Sequence, residues 1–214
     1  MAIVTESKPV QKNNSATFRY LGGLENLLVR RYRASAGEYR FKGTPGVKDA
    51  IETMGIPHTE VDVILVNNRS EDFSYKLQHK DQVAVYPVGA ELQDRKLIHL
   101  SPQIVPPVKF ILDVHLGSLA RRLRLLGFDS LYRNDFADAE IIDISVTTER
   151  VILTRDLGIL KQKQVRYGYL VRSDHLEKQV DEVMERFLIR DHAKPFSRCM
   201  ACNGRLVAVD KQEV

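Results

Sequence analysis

The sequence predicts an α/β protein in two parts: a parallel sheet flanked by helices over residues 108–192, preceded by a small α+β unit over residues 15–88. Three observations carry this. From Val108 onward, short apolar runs alternate with amphipathic stretches, the pattern of strands joined by crossover helices. Two of those runs, Val108–Leu112 and Val151–Leu153, are bounded as buried parallel strands are, and an aspartate follows each closely. The first ninety residues instead read as strands, one helix and further strands.

Residues 1–14 are polar and aperiodic, and are expected to form a leader. Ala16–Tyr20 alternates as a strand, Leu24–Leu28 is short and helical or irregular, and Glu38–Phe41 is a second strand. Thr44-Pro45-Gly46 is turn chemistry. It opens the helix Val47–Met54, whose Val47, Ala50, Ile51 and Met54 share one face and which Gly55 stops. Strands are expected at Val61–Val66, Phe73–Leu77 and Val83–Tyr86. Residues 89–107, with Pro102, Pro106 and Pro107, read as a linker.

In the second part, the strand Val108–Leu112 leads to the helix Ser118–Leu126, then a strand at Ser130–Tyr132. The helix Ala139–Thr147 precedes Val151–Leu153. A short helix at Leu157–Gln162, a strand at Tyr169–Val171 and the helix Asp174–Leu188 complete it. Alternation of this kind implies right-handed crossovers in one parallel sheet.

Composition narrows the classes without choosing one. Of the 214 residues, 43% are hydrophobic, enough for packed cores. The formal net charge of +4 permits an anionic partner and does not require one. No apolar window reaches the ~20 residues of a membrane span, and Met1–Ser15 lacks a signal-peptide core. A soluble, cytoplasmic protein with no membrane partner is therefore expected.

Chemistry collects at strand ends. Asp113 follows the first buried strand directly, where an aspartate serves equally well as a helix cap or as a site residue. Asp156 repeats the situation after Val151–Leu153, which favours a shared centre beyond the strands' carboxyl ends. Asp138 and Glu140 lie in a first helical turn, where acids are favoured in any case. Asp174 follows the next strand and suits a helix cap equally. A cluster of such carboxylates calls for a hard cation, Mg²⁺ or Mn²⁺, able to activate a water for phosphodiester hydrolysis. The helix after Asp113 sets Arg121, Arg122 and Arg124 off its apolar face, and Arg155 adjoins Asp156. These arginines suit a phosphate backbone, although for Arg122 and Arg124 solvated surface is the favoured reading. The only cysteines, Cys199 and Cys202, make a single C-x-x-C over the tail 193–214, half of what a zinc site needs. Zinc is thus expected only if a second cysteine pair comes from outside this chain, and truncation within a ribbon is the favoured explanation. His58 and Glu60 read as turn structure.

Two motifs together resemble a known family. Phe110-Ile-Leu-Asp113-x-x-Leu-Gly-x-Leu-Ala-Arg-x-Leu-Arg-x-Leu-Gly-Phe-Asp129, followed by Ile152-Leu-Thr-Arg-Asp156, resembles the Mut-7 C-terminal RNase family. Gly55-Ile-Pro-His-Thr-Glu-Val-Asp-Val-Ile-Leu-Val66, with Asp81-x-Val-Ala-Val-Tyr-Pro87, looks like its ubiquitin-like (β-grasp) companion. The resemblance implies a PIN-like domain and a metal-dependent ribonuclease acting on RNA. Asp113 matches the first acid, Asp156 the Thr-Arg-Asp acid, Asp138 or Glu140 the middle acid, and Asp174 a fourth. His115 departs from the pattern by replacing an apolar residue. A protein partner or RNA is expected to dock on the ubiquitin-like domain. The rival class is a PIN-like module that binds RNA or protein with little hydrolysis. A third, aspartyl-intermediate chemistry, lacks the second aspartate or later lysine it would want.

Overall fold

The computed structural model describes residues 13–35, 37–90, 92 and 96–208. The expected leader up to residue 12, part of the polar run 91–96 and residues 209–214 lie outside it.

The N-terminal unit is a mixed five-stranded sheet. Its strands are β1 (Asn14–Tyr20), β2 (Glu38–Phe41), β3 (Val61–Val66), β4 (Arg69–Glu71) and β5 (Gln82–Pro87), in the order β2-β1-β5-β3-β4. A short helix, α1 (Arg30–Ala34), precedes β2, and α2 (Val47–Met54) precedes β3. One face of the sheet is apolar by period two: Ala16, Phe18 and Tyr20 of β1 join Val83 and Val85 of β5 over Val47, Ala50, Ile51 and Met54 of α2. This is a β-grasp-like arrangement. The strand expected at Phe73–Leu77 is absent there, and β4 lies earlier. The 73–77 stretch alternates like a strand but spends its backbone on the loop before α2. Val47 N–H donates to Tyr75 O and Leu77 N–H to Pro45 O, both at 2.9 Å.

The second sheet is wholly parallel: β6 (Lys109–Leu112), β7 (Asp129–Leu131), β8 (Val151–Thr154) and β9 (Gly168–Leu170), in the order β7-β6-β8-β9. Helices α3 (Gly117–Leu125) and α6 (Leu176–Phe187) cover one face; α4 (Asp138–Thr148) and α5 (Leu157–Leu160) belong to the other. Apolar runs that look continuous in sequence divide by parity. Phe110, Leu112, Val151, Leu153 and Tyr169 enter the α3/α6 core, whereas Ile111, Ile152 and Leu170 enter the other. The chain steps from β6 outward to β7 and returns to the opposite side of β6 with β8. That reversal opens a crevice at the carboxyl ends of β6 and β8.

Described residues of the linker and tail are anchored to the two sheets' units. Asp62 of β3 takes His99 Nδ1 at 2.7 Å and Ser101 N–H at 3.1 Å on its carboxylate, and its carbonyl takes Leu100 N–H at 2.7 Å. In the tail, Lys194 N–H donates to Leu126 O and Phe196 N–H to Leu125 O. Gly127, at φ +91°, permits this approach, since a side chain there would strike the Lys194 carbonyl.

The two units also dock on each other. Glu60, only 3% exposed, accepts Leu170 N–H from the outer edge of β9 at 2.9 Å and pairs with Arg172 at 2.7 Å. His58 bridges Glu52 Oε1 (2.6 Å) and Val165 O (2.8 Å), and Lys161 Nζ reaches Glu52 O (2.9 Å). The expectation that His58 and Glu60 merely shape a turn is corrected. Each also has a partner more than a hundred residues away, beyond the reach of any local pattern.

Candidate active site

Asp113 and Asp156 follow the carboxyl ends of two neighbouring parallel strands, β6 and β8. Asp113 is buried at the end of β6 and receives three donors: His115 N–H on Oδ1 (2.8 Å), and Arg155 N–H (3.0 Å) and the Thr154 hydroxyl on Oδ2. Thr154, wholly buried, also accepts Asp156 N–H at 2.8 Å. One hydroxyl therefore ties the two acidic positions together. Asp156 caps α5, its Oδ1 accepting Gly158 N–H at 2.6 Å, and its side chain faces solvent. Both aspartates thus do what a cap does, at the carboxyl ends of adjacent strands.

The remaining acids do not close a ring. Asp138 and Glu140 stand exposed at the start of α4, on the same sheet edge by topology. Glu140 is engaged by Arg133 (3.5 Å) and Ala137 N–H (3.3 Å). Asp174 pairs with Arg155 at 2.5 Å. Among the described residues, no three His, Cys, Asp or Glu side chains are grouped to hold a metal ion. The expected four-carboxylate cluster is corrected to a pair, Asp113 and Asp156, with Asp174 linked to it through Arg155. Carboxylate oxygens are the donor type that a hard divalent ion takes. A carboxylate has about four lone-pair sites, and among the described residues Asp156 Oδ2 and one site on Asp113 Oδ1 are unclaimed. Mg²⁺ commonly takes one or two carboxylates and completes its shell with water and substrate phosphate.

The arginines divide. Arg121 is exposed, Arg122 pairs with Glu177 of α6 at 2.5 Å, and Arg155 stands beside the acids. Arg124 is corrected. It is 4% exposed and donates to Ser130 O (2.8 Å), Met200 O (3.1 Å) and Ala201 O (2.7 Å), so it anchors the cysteine knuckle and cannot meet RNA. At the knuckle, backbone N–H groups of Cys202 and Ala201 hold the Cys199 thiol below its ordinary value. Both cysteines are free, and no second ligand pair joins them among the described residues. His115 points outward and serves the site only through its backbone. Sequence reasoning did not single out Thr154; a hydroxyl two residues before a strand-ending aspartate was the signal on offer.

The fold is a parallel α/β domain fused to a β-grasp-like companion, and the family match of the first of these marks it as a nuclease-like module. Residues 108–214 match the family model of the Mut7-C RNAse domain and residues 13–93 that of the Mut7-C ubiquitin, and the chain belongs to this family. Comparison with curated proteins found no match, nor did comparison with solved structures. No helix among the described residues is long and apolar enough to cross a membrane.

Proposed function

We propose that this chain is a metal-dependent ribonuclease that hydrolyses RNA phosphodiester bonds, with Asp113 and Asp156 holding Mg²⁺ or Mn²⁺. The observation that carries the reading is the Thr154 hydroxyl joining the two aspartates at the crevice. When bound, the ion supplies an activated water and charge neutralisation at the phosphate. The chain's own residues do the rest. Thr154 and the backbone N–H groups of His115 and Arg155 fix the Asp113 carboxylate. The Arg155 guanidinium, exchanging Asp174 for a phosphate oxygen, orients the backbone, and exposed Arg121 adds positive charge. A cytoplasmic setting accords with the free cysteines.

The test is cleavage of a labelled single-stranded RNA with Mn²⁺ by the wild type, Asp113→Asn and Asp156→Asn. Each substitution should slow cleavage about 100-fold, equivalent to a few kcal/mol of lost charge stabilisation. Equal cutting by all three would refute the assignment. The second reading, an RNA- or protein-holding module with little hydrolysis, is favoured by one observation: Asp138 and Glu140 stay apart from the pair. It gains if the wild type binds RNA and does not cut it.

A further inference from the structure

The β-grasp unit has no catalytic set, yet it carries an unneutralised basic surface around an aromatic cleft. In α1, Arg30, Arg31 and Arg33 are exposed, and Arg19 of β1 is exposed beside them. None of the four enters an ion pair among the described residues. Between β1 and α1 lies a cleft of about 420 Å³ lined by Arg19, Glu25, Asn26, Tyr32 and Arg33, with the Phe18 and Tyr20 rings beneath. The Arg31 guanidinium lies 4.6 Å from the centre of the Tyr32 ring.

The chemistry this offers is specific. Guanidinium groups without carboxylate partners repel one another, and a run of phosphates relieves that repulsion while releasing counterions. A stacked arginine–tyrosine pair is a platform for a nucleobase, since every base has a π-face. Glu25 and Asn26 add acceptors and donors for a base edge. An acidic protein would be drawn to the arginines, but it has no use for an aromatic platform inside a cleft. The surface also stands in fixed relation to the acid centre. Asp156 caps α5, Lys161 at the other end of α5 bonds Glu52 O of α2, and Val29 N–H, just before α1, bonds Met54 O of the same helix end at 2.9 Å.

We propose that this cleft binds a nucleotide of single-stranded RNA away from the acid centre, making the β-grasp unit a substrate-holding arm. The substrate class rests on the ribonuclease reading. The test is fluorescence anisotropy of a labelled single-stranded RNA with the full chain, in chelator so that nothing is cut, over a range of salt. The triple variant Arg30→Gln/Arg31→Gln/Arg33→Gln should bind about tenfold or more weakly, and its log–log salt slope should fall by about two. Tyr32→Leu should cost about tenfold with the slope unchanged. Circular dichroism checks that each variant is folded, and Arg19→Gln, outside α1, repeats the charge test should the triple variant unfold. Unchanged affinity and slope would overturn the proposal and leave the arginines to an acidic protein partner. Parallel cleavage with Mn²⁺ separates the two claims. A wild type that binds through these arginines without cutting sinks only the ribonuclease; one that cuts while the variants bind normally sinks only the cleft.

Discussion

At the scale of single residues, the centre depends on one hydroxyl. Thr154, itself wholly buried, donates to Asp113 and accepts from the Asp156 N–H. Thr154→Val keeps the shape and removes both bonds, leaving a buried carboxylate short of a donor. Urea unfolding should show a loss of about 1–3 kcal/mol, with Thr154→Ser losing much less; equal losses would show that the methyl group matters and the hydroxyl does not. Cys199 makes a second prediction. Its thiol is held below the ordinary value of 9.0, so alkylation read by mass spectrometry should proceed at a lower pH than in an unfolded peptide. The acids were legible because aspartate is conspicuous at the end of an apolar strand. Arg124 was not. Helical spacing tells which face is apolar, but not that a tail more than seventy residues on would supply carbonyls to bury a guanidinium.

At the scale of elements, the tail is fastened to β7 by Asp129. Burial raises its carboxyl pKa, but hydrogen bonds from Arg150 and Asn203 and the charges of Arg150 and Arg198 outweigh burial and hold it below the ordinary 3.8. A depressed folded value contributes stability that is complete above the unfolded value and is lost as pH falls through the folded one. Denaturation midpoints should therefore drop on acidification below about pH 4, less so in Asp129→Asn. At neutral pH, Asp129→Asn should speed tryptic cleavage at Arg198 and Arg205. Glu60 plays the matching part at β9. Glu60→Ala leaves Leu170 N–H unpaired and should cost about 1–3 kcal/mol by chemical denaturation, whereas Glu60→Gln keeps that acceptor and should cost less. Most strands and helices were readable from periodicity, within a residue or two at their ends. The exception, Phe73–Leu77, has the alternation of a strand without a neighbouring strand to pair with.

For the whole molecule, the contacts of His58, Glu60 and Lys161 join the two units, and Leu27 packs against the α4/α5 core as well as its own. Thermal unfolding followed by circular dichroism should show one transition; two well-separated steps would count against the docking. Both folds were legible in the sequence because each is built from local periodicity. Their docking was not, since the bonds that make it span 107 to 112 residues. The same contacts have a wider consequence. Asn203 Oδ1 accepts Ser130 N–H from the outer edge of β7 at 3.0 Å, and Glu60 accepts Leu170 N–H from the outer edge of β9. A parallel sheet with bare margins invites a neighbouring molecule to add a strand and seed polymerisation. Here a side chain occupies one edge N–H on each margin, so the two accessory segments guard the sheet's edges against such growth.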